Sequence, residues 1–240
     1  MEQRHITYEF ELNSGRLRFE LCFDEPAHLL VPINTSKAPS WTELDFLKCP
    51  NCPLNSKEVS HCPLALQLHR VVSETDDLTS HDEVRVKVRS AERYYGTKTT
   101  AQRALSSMLG LIIPCSGCPH TEFLRPLARF HLPFSDQEET SYRIASMYLL
   151  AQFIRKSKGL DTDFNLDKLD QLYQPIQTVN RFLCQRLRTI CGKDSSLNAV
   201  VILDTLTMIV PLTLQAHLDT MVDLFKPYLS DSKDLPTRSS

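Results

Sequence analysis

The chain reads as an α+β protein: a small antiparallel N-terminal sheet with a cysteine-bearing insertion, followed by a C-terminal helical bundle. Three observations predict it. Apolar and polar residues alternate along two early stretches separated by a turn sequence. After Thr99 the apolar period changes from two residues to about 3.6, which takes the chain from sheet to helix. Hydrophobic residues fill 42% of 240 positions, enough for a true core.

The first element is a hairpin. Ile6, Tyr8, Phe10 and Leu12 alternate, as do Leu17, Phe19, Leu21 and Phe23, around Asn13-Ser14-Gly15. One face is therefore buried, and the other carries Glu9, Glu11, Arg18 and Glu20. A third strand is expected at Val84–Val88, where three valines alternate with Arg85, Lys87 and Arg89. That basic row has the form of a phosphate-tracking strand. The preferred reading pairs it with the acidic row of Glu9, Glu11 and Glu20, which completes a solvated sheet face.

Residues 33–82 form the insertion, rich in Pro, Ser and Asn and too long to be structureless inside a compact domain. Trp41, the single tryptophan, is read as its packing anchor. Leu64–Val72 fits a short helix after Cys62, and Ser73–His81 an exposed turn. The expected division is residues 1–97 for the sheet region, 98–230 for helices packed on it, and 231–240 for a disordered tail.

In the second half, Ala101–Ile113 forms a helix that Pro114 stops. Ser135 and Glu138 make a capping box for a helix through Lys158, with Gly159 as its stop and Ile144, Met147, Tyr148, Ala151 and Ile154 on its inner stripe. The next runs from Leu166 to Ile190, burying Leu169, Leu172, Tyr173, Ile176, Leu183, Leu187 and Ile190, with Pro175 bending it or delaying its start. The last begins near Ser195 or Ser196 and runs towards Leu229 with a break at Pro211. It is apolar nearly all round over Val200–Val210, as a central helix would be. Asp204 within it is read as a structural hydrogen-bond acceptor.

Composition excludes several function classes. A net charge of −2 and a pI near 6.4 argue against holding nucleic acid or anionic membrane by bulk electrostatics. The first ten residues contain no signal-peptide-like apolar run, so a cytoplasmic protein is expected. Leu197–Leu214, the most apolar window, carries Asn198, Asp204 and Pro211 and fits a buried helix better than a membrane span. Walker, dinucleotide-binding, zincin and nucleophile-elbow motifs are absent, and six glycines leave little for phosphate-cradling loops.

What remains is sulfur. Cys49-Pro-Asn-Cys52-Pro53, His61-Cys62-Pro63 and Cys115-Ser-Gly-Cys118-Pro119-His120 supply more soft ligands than one tetrahedral metal needs. In a reducing compartment paired Cys-x-x-Cys motifs are metal-binding or redox-active rather than disulfides. The expectation is a Zn²⁺ held by four of Cys49, Cys52, Cys62, Cys115 and Cys118, with His61 or His120 as substitutes. The simplest set is Cys49, Cys52, Cys115 and Cys118. An iron–sulfur cluster is the alternative, though the spacing does not reproduce a ferredoxin run. A reactive Cys115–Cys118 dithiol is the enzyme-class rival, without the βαβ surroundings of a thioredoxin. Prolines after Cys62 and Cys118 place each sulfur at an expected helix N-cap, where thiolate is favoured. Cys22, Cys184 and Cys191 are read as strand-face, core or boundary residues.

The first pair is similar to half a zinc-ribbon knuckle. Pro53 stands where a knuckle has glycine, so the turn must differ and no ribbon function is carried across. His120, Glu122, Arg125, Arg129 and His131 crowd the next segment. Their preferred reading is a solvated helix edge over buried Phe123, Leu127 and Phe130, against an outer support to the metal or an anion pocket. The strings CPNCPL and CSGCPHTEFLRPLARFHLPF, with the following helix, resemble an uncharacterised family of bacterial proteins with no assigned activity. That resemblance implies a bacterial cytosolic protein and assigns no catalytic residue. Together these readings point to a metal-stabilised interaction or regulatory protein with a protein partner, rather than an enzyme.

Overall fold

Both alternating stretches become strands. In the computed structural model, which describes residues 3–190, 214 and 216–229, β1 (Gln3–Leu12) and β2 (Gly15–Asp24) form the hairpin. With β3 (Leu29–Leu30), β4 (Glu83–Arg89) and β5 (Tyr94–Thr100) they make one antiparallel sheet in the order β3-β2-β1-β4-β5. Period two places Ile6, Tyr8, Phe10, Phe19, Phe23, Val84, Val86 and Val88 on the buried face. On the other face Glu9 stands opposite Lys87 and Glu11 opposite Arg85, and Lys87 pairs with Glu11. The basic row thus completes a sheet face, as expected. Glu20 sits one strand over, beside Arg18 and His5. β5 carries no alternating apolar signal because it is a largely exposed edge strand, which is why the sheet extends to Thr100 rather than ending at residue 97.

Helices α1 (Pro63–Glu74) and α2 (Ala101–Cys115) contribute to the core that covers the sheet. Ala101, Ala104, Leu105, Met108, Leu111 and Ile112 of α2 are wholly shielded from solvent. Each large aliphatic or aromatic side chain of this kind contributes about 1.5–3 kcal/mol on burial. Pro114 does not stop α2. It sits in the last turn, where its missing N–H leaves the Gly110 carbonyl without a helical donor, yet the helix continues through Cys115. After Cys118 the expected helix does not start at Pro119. A turn comes first, then a 3₁₀ turn at Glu122–Leu124 and α3 (Arg125–Arg129), with Arg125 paired to Glu122 and Phe130 left 70% exposed rather than buried.

α4 (Gln137–Ser157) opens on a capping box made by Asp136 and Glu139, one residue later than Ser135 and Glu138 would give. Ser135 bonds instead to the Thr140 hydroxyl. Lys158 is the C-cap, and Gly159 leaves the helix at φ +70°, a conformation that favours glycine. The inner line runs through Ser141, Ile144, Ala145, Tyr148 and Gln152, so Ala151 and Ile154 face outward. Gln152 can be buried because its side-chain oxygen accepts the Asp163 N–H at 3.0 Å, while Tyr148 donates to the Asp163 carboxylate at 2.7 Å. α5 (Leu169–Arg188) contains Pro175 within its length, and Leu172 is 39% exposed rather than buried.

Two apolar clusters result. One joins the sheet, α1 and α2 to Val179, Leu183 and Leu187 of α5. The other joins Ile144, Ala145 and Tyr148 of α4 to Leu169, Tyr173 and Ile176 of α5 and to Leu214. α5 is common to both. Of the expected last helix, the part through Asp204 and Pro211 lies outside the described residues, as do Cys191 and the tail from 231; residues 214 and 216–221 are helical, followed by a 3₁₀ turn at Val222–Phe225 and a short helix at Lys226–Leu229. Among the described residues no helix is long and apolar enough to cross a membrane.

Candidate metal centre

The insertion is ordered by backbone bonds and one arginine. Cys62 N–H donates to the Thr42 carbonyl at 2.8 Å and Leu44 N–H to Ser60 at 2.9 Å, which lays the strip around Trp41 beside the start of α1. Trp41 is 7% exposed and belongs to the sheet core, as an anchor should. Arg186 of α5, 2% exposed, sends its guanidinium to the carbonyls of Trp41 (2.7 Å), Glu43 (2.9 Å) and Leu44 (3.1 Å). Among the described residues no carboxylate forms an ion pair with it.

Cys49 and Cys52 close a turn in which Cys52 N–H donates to the Cys49 carbonyl at 3.0 Å. Cys62 is the N-cap of α1 with Pro63 at the first helical position, as expected. Cys118 reaches the same place because Gly117, at φ +91°, turns the chain sharply after α2. A Cβ at Gly117 would lie 3.5 Å from Pro63, so the turn rests directly against the residue that follows Cys62. Cys49, Cys52, Cys62 and Cys118 consequently line one cavity of about 30 Å³, closed by Val179, Leu183 and Arg186 of α5.

Cys115 is not among them. Because α2 runs on through Pro114, Cys115 stays in the helix and is wholly buried in the sheet core, with Arg125 and Glu25 as its charged neighbours. Of the set Cys49, Cys52, Cys115 and Cys118, three line this cavity and Cys115 does not, whereas Cys62 does. Of the two histidines, His120 also lines this cavity and His61 does not. His120 donates from Nε2 to the Asn51 carbonyl at 2.6 Å, tying the second Cys-x-x-Cys segment to the first. The Thr42 hydroxyl donates to Pro39 and so accepts from His61 Nδ1 at 2.8 Å. Asn51 in turn donates to the Pro175 carbonyl of α5 at 3.2 Å.

The electrostatics follow from burial. Burial pushes the Cys49 thiol up to about 12, and the neighbouring Cys62, Cys118 and Cys52 add to it, while Arg186 opposes. Burial pushes Cys118 up to about 11 despite hydrogen bonds from the His120 N–H and the Thr121 hydroxyl. Cys115 rises to about 12, again by burial. The expectation of thiolate at an N-cap fails for Cys118, where no helix begins. Thiols of this kind are weak nucleophiles at neutral pH. Among the described residues no group of three or more His, Cys, Asp or Glu side chains is arranged to hold a metal ion. Coordination would thus require the four sulfurs to turn towards a common point.

Arg186 and Asn51 were not singled out from the sequence. The signal for Arg186 was present, since it falls three residues after Leu183 and one before Leu187, in register with the buried stripe. Asn51 carried none.

Residues 6–226 match the family model described as Domain of unknown function (DUF6901). The chain belongs to that family. The match covers the sheet, every one of the four cavity cysteines and the helices on which they rest. No curated protein and no solved structure matches the chain.

Proposed function

We propose that this member of the DUF6901 family binds one structural Zn²⁺ through Cys49, Cys52, Cys62 and Cys118 and serves as a cytoplasmic interaction or regulatory protein. The observation that carries the reading is the convergence of four cysteines from three separate segments on one cavity of about 30 Å³. Buried Arg186 supports it. Four thiolates on Zn²⁺ make a doubly negative centre, and a desolvated guanidinium beside it, with no carboxylate partner among the described residues, is the compensating charge such a centre needs. The ion's part is structural: it would tie the insertion to α1 and to the turn after α2.

The interaction half rests on α4, where Leu150, Phe153 and Ile154 are 59%, 63% and 52% exposed. An apolar row of that kind is the sort of surface a protein partner covers. An iron–sulfur cluster is the second reading, because four thiolates also suit it. The size of the cavity favours a single ion, since its volume is close to the ~30 Å³ share of one water molecule. The Cys115–Cys118 dithiol reading loses its first thiol to the sheet core.

Elemental analysis and a visible spectrum of freshly purified full-length protein test the assignment. One zinc per chain with no visible band is expected. Iron with acid-labile sulfide and a broad visible band would transfer the site to the cluster reading. Protein that folds and carries no metal would sink both.

A further inference from the structure

A second cavity, of about 320 Å³, lies nearer the N-terminal end of α5, between α2, α3, α4 and the segment 131–137. It contains none of the cysteines. Its volume is at the lower end of the ~300–1,000 Å³ range of small-molecule sites. Ile113, Leu124, Leu127, Ile144 and Ile176 form much of its wall. Gly110 also lines it, in the interior of a fifteen-residue helix, and a Cβ built there would meet nothing within 4 Å. The space is therefore open at a position where a larger side chain would favour the helix and fill the void.

The polar wall includes two guanidiniums, an imidazole, several hydroxyls and one carboxylate. Tyr173 is 2% exposed, and its hydroxyl has no hydrogen-bond partner among the described residues. A buried hydroxyl left in that state is costly unless something binds it. Arg143 is half-buried and uses one nitrogen, Nη2, for the carbonyls of Leu127 (2.7 Å) and Phe130 (3.1 Å). No carboxylate among the described residues forms an ion pair with it. Asp136, which also lines the cavity, and Glu139, whose charge acts on Arg143, are joined to each other's backbone in the α4 capping box. Arg103 adds a second guanidinium.

His131 is held by a hydrogen-bonded chain. The Phe134 N–H donates to Ser107 Oγ at 3.2 Å, and Ser107 Oγ lies 3.1 Å from Tyr8 Oη. Tyr8 Oη lies in turn 2.6 Å from His131 Nε2, and the His131 ring lines the cavity. Hydroxyls, the His131 imidazole and the guanidiniums of Arg103 and Arg143 thus line an apolar space in which Asp136 is the one carboxylate among the lining residues, so positive charge is in excess.

We propose that this cavity binds a small, mainly apolar molecule bearing one carboxylate, with the carboxylate taken by Arg143 and Tyr173 and the apolar part seated against Ile144, Ile176 and Gly110. The site is separate from the cysteine cavity and does not depend on what the cysteines hold.

Octanoate is the probe, with octylamine as the cationic counterpart, titrated calorimetrically into the full-length protein as purified. Saturable octanoate binding with a Kd on the order of 0.1 mM is expected, with octylamine at least about tenfold weaker. Gly110→Leu fills the space and should abolish binding while circular dichroism and metal content stay unchanged. Tyr173→Phe removes only the hydroxyl and should weaken binding roughly fivefold to tenfold. Lack of saturable octanoate binding, equal binding of octylamine, or binding that survives in a folded Gly110→Leu protein would each overturn the proposal.

Discussion

The two cavities share α5 and differ in nearly everything else. Towards its C-terminal end Val179, Leu183 and Arg186 close a space of about 30 Å³ lined by four sulfurs; nearer its N-terminal end Tyr173, Ile176 and Asn180 border about 320 Å³ lined by hydroxyls, nitrogen donors and aliphatic side chains. The first is assembled from irregular chain, the second largely from helices. The contrast teaches how each is kept in place. Helix-built walls hold themselves by packing, so the larger cavity can remain open. The strip 45–61 has no buried side chain of its own, and it is tied down by backbone hydrogen bonds and, just before it, by Arg186.

That contrast breaks most easily at the sulfurs. Stripping the metal with a strong chelator should lower stability by at least about 5 kcal/mol, seen as a fall in Tm of roughly 10–20 °C. Cys62→Ser or Cys118→Ser should lose metal in the same way, whereas Cys115→Ala should retain it. Metal-to-protein ratios across the three variants check this, and equal loss in all three would return Cys115 to the ligand set.

Arg186→Met is the next largest. It keeps the bulk but leaves three carbonyls of the insertion without their donor, at a cost of about 3–5 kcal/mol in urea denaturation. If the insertion were held by its own packing, the loss would be below about 1 kcal/mol.

The larger cavity is exposed through His131. Burial, with Arg143 nearby, lowers its folded-state value to about 3 from the usual 6.5. The unfolded chain therefore binds more protons between those values, and stability is present above pH 6.5 and lost as pH falls towards 3. The contribution is about 2–4 kcal/mol, discounted because the ring is not wholly shielded. His131→Gln should flatten this part of the stability profile between pH 4 and 6.5, measured against the parent. An unchanged slope would mean that carboxylates elsewhere carry the acid sensitivity.

Gly110→Ala gives the smallest effect. With open space at the Cβ and an ordinary helical backbone, it should stabilise the protein by about 0.5–1 kcal/mol in thermal unfolding. A destabilisation would show that the cavity wall is tighter than the geometry indicates.

Residue order alone determined the hairpin, the pairing of Glu9 and Glu11 with the Arg85–Lys87 row, the approximate helices and the buried stripe of α5, because each depends on a period of two or 3.6 read locally. It also determined that sulfur is dense at Cys49, Cys52, Cys62, Cys115 and Cys118. Only the tertiary structure decided which of these meet. Whether α2 ends at Ile113 or continues two residues further and carries Cys115 into the core depends on what packs around Pro114, and whether Cys118 reaches Cys62 depends on Gly117 turning against Pro63. Arg186 and Tyr173 were visible as members of a stripe, but their partners, or the lack of one, come from segments more than a hundred residues away or from a third helix. Periodicity says which side of a helix faces inward; it says nothing of what waits there, since that is settled by long-range packing between elements no local pattern links.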